Sequence, residues 1–114
     1  MNNCTFVGRL VDDPALKSVN NTSVVNFTLA IEEYRRDQDG TKKKRVDFLD
    51  FEAWDSGATT IEALCSKGDS MVVNAVARQQ KWTKDGKMKE RIKFRVKNFK
   101  VFNRHGTKEQ TPDG

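Results

Sequence analysis

The chain has 114 residues, 36% of them hydrophobic and 32% charged, which is enough for one domain whose modest core needs neither metal nor disulfide. A net charge of +5 and a pI of about 9.4 fit a polyanionic partner, either nucleic acid or an anionic membrane surface. Two distant cysteines, Cys4 and Cys65, and a single histidine, His105, exclude a disulfide framework, a zinc cluster and a histidine-based catalytic pair. No apolar run approaches the length of a membrane span, and the N-terminus lacks a signal-peptide pattern. The expectation is a reducing, cytoplasmic location and no membrane partner.

In chain order, "NNCTFVGRLV" (2–11) reads as a first strand, with Gly8 as a bulge or a point of close approach. "DDPALKS" and "NNTS" read as turn material on either side of a short link. "VVNFTLAIEEY" (24–34) alternates: Val25, Phe27, Leu29 and Ile31 point one way, Asn26, Thr28, Ala30 and Glu32 the other. "RRDQDGTKKKR" (35–45) is expected to be a long basic hairpin loop, and "VDFLDFEAW" (46–54) a third strand.

"GATTIEALCSKG" (57–68) carries Ile61, Leu64 and Cys65 at helical spacing. Ser56 or Thr59 can cap its start, and Gly68 suits the C-terminal cap. "SMVVNAVARQQKW" and "MKERIKFRVKNFKVF" are two further strands, while "NRHGTKEQTPDG" loses all patterning. Residues 1–102 are therefore expected to form the domain and 103–114 a disordered tail. Three strands, a helix and two strands predict an all-β, five-stranded Greek-key barrel of the OB type, with the helix between strands 3 and 4. Other small five-stranded barrels share that pattern.

Alternation splits the third strand into an apolar face, Leu49, Phe51 and Ala53, and a face of Val46, Phe48, Asp50, Glu52 and Trp54 that is expected to meet water. A two-residue turn at Asp85-Gly86 sets the register of the last hairpin. It places Trp82 opposite Lys89, Gln80 opposite Arg91, Arg78 opposite Lys93 and Val76 opposite Arg95. The other face pairs Ala77 with Phe94 and Ala75 with Val96, so the split is clean.

Taken singly, Phe48, Trp54 and Trp82 read as rings buried under a loop or at a subunit contact. Together, on strands rich in lysine and arginine, they read as a surface for single-stranded nucleic acid. Bases stack on the rings and basic side chains hold the phosphates.

Five segments in order, "NNCTFVGRLVDDP", "VVNFTLAI", "FLDFEAW", "LCSKGDSMVV" and "RQQKWTKDG", resemble the successive signatures of bacterial-type single-stranded DNA-binding proteins. The resemblance runs from about Asn2 to Phe102. It implies an OB-fold that binds single-stranded DNA without sequence preference, as a homotetramer or a dimer. The implied role is to protect and organise the strand in replication, recombination and repair, in the nucleoid or in the host cytoplasm of a phage. It further implies that Phe48, Trp54 and Trp82 stack on bases and that Arg78 lies on the DNA-facing strand, and that the basic loop, with Arg35, Arg36, Lys42, Lys43 and Lys44, wraps the DNA.

Gln80, Lys89, Arg91 and Lys93 share the face of Trp82 and complete the candidate set. The family's early stacking aromatic falls at the place of Arg35, one residue after Tyr34, and Tyr34 is the candidate for that role. The family usually ends in an acidic tip that recruits repair and replication enzymes, whereas this sequence ends in "KEQTPDG". That ending points to a truncated or tail-less relative, such as a phage, plasmid or primosomal form, and recruitment is not carried over.

Three other functions fit parts of the pattern: a replication-restart or RNA-binding protein of the same fold, a protein-binding module with Trp54 and Trp82 at its interface, and a small nuclease. A nuclease would use Asp50 and Glu52 as metal ligands, but needs further carboxylates or a base converging on the metal, and the neighbours here are aromatic. Asp50 and Glu52 are accordingly expected in surface ion pairs. No catalytic residue, metal ligand or cofactor is expected.

Overall fold

Long alternating runs need a closed sheet to bury one face each, and the computed structural model, which describes residues 1–103, closes one. Its elements are β1 (Cys4–Leu10), β2 (Ala15–Val19), β3 (Thr22–Arg36), β4 (Lys42–Trp54), α1 (Ser56–Leu64), β5 (Ser70–Lys84) and β6 (Lys87–Asn103). The sheet order is β1-β5-β6-β4-β3-β2, and β1 also pairs with β3. Five strands thus form a barrel, sealed on one side by β1–β3 and on the other by a short parallel junction of β4 with β6. This is the OB-fold expected from the pattern, with the helix between the third and fourth barrel strands.

The barrel is filled by the predicted inward lists. Val25, Phe27, Leu29, Phe51, Ala53, Val73 and Ala75 are buried with Ile61 and Ala58 of α1. Phe51 is the hub: its ring centroid lies 5.3 Å from Phe27 and 5.5 Å from both Phe6 and Phe94. Gly8 marks close approach and not a bulge, since it pairs regularly with Met71. A Cβ there would sit 2.7 Å from Ile31 Cδ1 and 2.9 Å from the Ala30 carbonyl oxygen, so only glycine fits where β1 crosses β3.

Five local expectations are corrected. Ala15–Val19 is not turn material but β2, paired with β3 in register from Ala15 against Asn26 to Val19 against Thr22. Asn20 and Asn21 (φ 51° and 64°) form the connecting turn, both in the left-handed region that asparagine tolerates.

The helix ends at Leu64, short of the predicted Gly68, because Cys65 is extended. Gly68 (φ 91°) instead serves the turn into β5, donating its N–H to the Leu10 carbonyl. The N-cap is Asp55, with no side-chain cap, in place of Ser56 or Thr59; Thr59 lies within the helix and its hydroxyl donates to the Ser56 carbonyl.

The basic segment 35–45 is mostly strand. Arg35 pairs with Lys43 and Arg36 with Lys42, so the chain reverses only between Asp37 and Thr41. Finally, Asn103 belongs to β6, opposite Ser70; the rest of the expected tail, 104–114, lies outside the described residues.

Candidate nucleic-acid interface

The β5–β6 hairpin has the predicted register throughout, from Lys84 against Lys87 at the tip to Ala75 against Val96, including Arg78 opposite Lys93. Asp85 (φ 52°) and Gly86 (φ 75°) form its turn. Trp82 is 41% exposed. The Arg91 guanidinium lies 5.5 Å from its ring centroid, within cation–π range, and Arg91 Nε donates to Gln80 Oε1 at 3.2 Å. Arg78 and Lys89 lie on the same face, both exposed.

On β4 the face of even-numbered residues carries Phe48, 65% exposed, and Trp54, half-buried. Between them the expectation of a water-facing Glu52 fails: it is 4% exposed, covered by the adjoining β5–β6 hairpin. Trp54 Nε1 donates to Glu52 Oε2 at 2.7 Å and Gln80 Nε2 donates to Glu52 Oε1 at 3.1 Å, with an Arg95 terminal nitrogen 4.0 Å from Oε2. The expected surface ion pair of Asp50 gives way to a hydrogen bond. Asp50 stays exposed and accepts from the Thr28 hydroxyl at 2.7 Å.

Arg95 joins the interface although the sequence does not single it out. Its guanidinium lies 5.2 Å from the Trp54 ring centroid. The signal is present, since the hairpin register places Arg95 on the face of Trp82, but nothing there distinguishes it until β6 meets β4 at the pairing of Glu52 with Arg95.

Lys93 departs from its expected role as a free phosphate contact. It is 8% exposed, and its ammonium donates to Asn26 Oδ1. Burial lowers its pKa below the usual lysine value, partly opposed by the nearby Glu52 carboxylate. With Lys17, Thr28, Asp50 and Arg91 it borders a polar cavity of about 370 Å³.

The β3–β4 arm brings Tyr34, Arg35, Arg36, Lys42, Lys43 and Lys44 together, all exposed. Much of its charge is answered internally. Arg35 and Lys43 approach Asp37 at 3.7 and 3.9 Å, and Lys44 lies 3.5 Å from Glu32. The Tyr34 hydroxyl donates to Glu32 at 3.0 Å, which with Lys44 lowers the Glu32 pKa. Residues 32–47 hold six basic side chains against five acidic ones, whereas residues 78–95 hold eight against two. The β5–β6 hairpin is therefore the dominant source of positive potential.

Among the described residues no cluster of His, Cys, Asp or Glu is placed to hold a metal ion, and no helix is long and apolar enough to cross a membrane. The profile of the single-strand binding protein family matches residues 1–102. The single-stranded DNA-binding protein of Aquifex aeolicus is 30% identical over 105 residues, spanning 91% of this chain and 71% of the relative. Single-stranded DNA-binding protein 2 of Clostridium acetobutylicum is 34% identical over 89 residues, spanning 75% of this chain and 65% of the relative.

Among solved structures, Plasmodium falciparum SSB in complex with ssDNA superposes with a TM-score of 0.81 at 21% identity, covering 90% of this chain and 96% of that one. The small single-stranded DNA-binding protein of Streptomyces coelicolor gives 0.72 at 19% identity, covering 90% and 96%. These structural likenesses establish the fold.

Proposed function

The chain belongs to the single-strand binding protein family, and from that premise we propose that residues 1–102 bind single-stranded DNA without sequence preference. As a member of that family it is a binding protein and not an enzyme. The observation that carries the proposal is the outward face shared by Phe48, Trp54 and Trp82 with Arg78, Lys89, Arg91 and Arg95. A duplex hides the flat faces of its bases, so exposed rings interleaved with cations favour a strand whose bases are free to stack. Stacking accepts every base, which is why the surface suits any sequence.

Bases stack on Phe48, Trp54 and Trp82, while Arg78, Lys89, Arg91 and Arg95 hold the phosphates. Gln80 contributes through its bonds to Glu52 and Arg91, and Lys93 through the charge it adds beneath the surface. Tyr34 offers an exposed ring at the base of the arm, flanked by Arg35, Arg36, Lys42, Lys43 and Lys44. Because only the single strand is held, hairpins in DNA melt by mass action as protein accumulates. The biological role that fits is protection of single strands during replication, recombination and repair, with four copies assembling. Exposed Val7 and Phe102, which border one shallow cavity on the outside of the barrel, are available to such an assembly.

The test is anisotropy of labelled oligo-dT, oligo-rU and a duplex of equal length across salt concentrations. Tight oligo-dT binding with weak duplex binding is the expected result; equal binding of the duplex would refute the proposal, and preference for oligo-rU would move it to RNA. The charge balance makes a finer prediction. Neutralising Lys87 and Lys89 together should flatten the salt dependence by about 0.7 log unit per log unit of salt for each phosphate they neutralise. Neutralising Lys43 and Lys44 should flatten it less, because Asp37 and Glu32 already offset those charges.

A further inference from the structure

A buried carboxylate on a face meant for phosphates is unfavourable twice over. It repels the ligand, and it loses its own hydration. Glu52 is such a group, and both of its oxygens are engaged. Oε2 accepts the indole N–H of Trp54 and Oε1 accepts an amide N–H of Gln80. The Gln80 carbonyl oxygen in turn accepts from Arg91 Nε, and Arg91 covers Trp82. A continuous chain of interactions therefore runs Trp54, Glu52, Gln80, Arg91, Trp82.

The chemistry of the links gives that chain a single sense. An indole N–H and a guanidinium only donate, and an ionised carboxylate only accepts. The one group able to do both is the Gln80 amide. Its orientation is dictated from each side, nitrogen towards Glu52 and oxygen towards Arg91. Arg95, over Trp54 and near Glu52, braces the first ring from a second direction.

We propose that Glu52 and Gln80 are positioning residues that hold the Trp54 and Trp82 rings in one arrangement before the strand arrives, so that the two platforms act as a single pre-organised unit. The proposal rests on reading both tryptophans as base-stacking platforms. Neither Glu52 nor Gln80 needs to touch DNA for this role. Pre-organisation lowers the entropy cost of binding, and it makes the two rings dependent on each other.

The test combines two variants of the chain with a thermodynamic cycle on the tryptophans. Trp54→Ala and Trp82→Ala are measured singly and together for oligo-dT affinity, in the native background and in Gln80→Leu. In the native background the double variant should lose less than the product of the single losses, by about threefold or more. In Gln80→Leu the losses should simply multiply, and that background should itself bind several-fold more weakly.

Glu52→Gln supplies the second arm. It keeps the shape and removes a repelling charge, so a carboxylate that merely opposed phosphate would give tighter binding on removal. The relay requires the opposite, weaker binding, because a second amide cannot satisfy both Trp54 and Gln80 in the same sense. Tighter or unchanged binding by Glu52→Gln, or multiplicative tryptophan losses in the native background, would overturn the proposal. Single tryptophan variants that keep full affinity would instead overturn the stacking reading on which it rests.

Discussion

Phe48→Ala and Trp82→Ala are each expected to weaken oligo-dT binding by about fivefold to a hundredfold at fixed salt, corresponding to roughly 1–3 kcal/mol for each stacked base. Phe48 is the sharper case. Its ring stands on the outer face of β4, 65% exposed, opposite the small side chain of Ala30. Nothing in the barrel depends on it, so the affinity loss should come with a change in stability of less than about 0.5 kcal/mol. Trp82 differs in carrying Arg91 on its ring, so its removal also frees that guanidinium. The effect of both substitutions should appear as lower affinity with an unchanged salt slope, since no charge is removed. Phe48→Tyr and Trp82→Phe, which keep a ring, should recover most of the binding. Unchanged affinity for either alanine variant, measured by titration with oligo-dT at two salt concentrations, would contradict the assignment.

Phe51→Ala, only three positions further along the same strand, is expected to behave in the opposite way. Phe51 is fully buried, stacked on Phe27 at 5.3 Å and in contact with Phe6 and Phe94. It also sits opposite Phe94 at the parallel β4–β6 junction that closes the barrel. Truncation removes a large buried ring and leaves a cavity between strands that cannot collapse without opening the seam. A loss of about 3–5 kcal/mol follows, a large share of the roughly 5–15 kcal/mol that stabilises a domain of this size. Urea denaturation should show a markedly lower midpoint for Phe51→Ala and a near-native midpoint for Phe48→Ala. Equal midpoints would mean that the inward and outward faces of β4 have been confused.

That parity is legible in the sequence, as is the hairpin register, because an Asp-Gly turn and a period-two pattern are local signals. Depth is not. Alternation places Glu52 and Lys93 on the outer face of the sheet, but their burial depends on Gln80, Arg95 and Asn26, which approach from other strands. Arg95 is inconspicuous in the sequence for the same reason: it reaches Trp54 only where two strands far apart in sequence run parallel.

The hidden β2 has a different cause. All five of its residues are exposed, so it shows no buried face, and its turn uses two asparagines where glycine would have been the clearer marker. The β3–β4 arm reads as a loop because its like charges face one another, Arg35 to Lys43 and Arg36 to Lys42. Such pairs oppose strand pairing, and here Asp37 and Glu32 offset part of the repulsion. The predicted helix overruns its true end because Gly68 does adopt a left-handed conformation, but for the turn into β5.

The most direct measurement is intrinsic tryptophan fluorescence during titration with oligo-dT at low and high salt. Trp54 and Trp82 are the chain's two tryptophans, so the signal comes from the proposed platforms themselves. Stacked bases should quench both, to the same plateau at each salt concentration, while the apparent Kd rises steeply with salt as phosphate interactions are screened. Binding detected by anisotropy with no quenching, or quenching that does not respond to salt, would contradict a surface in which aromatic rings hold the bases and basic side chains hold the backbone.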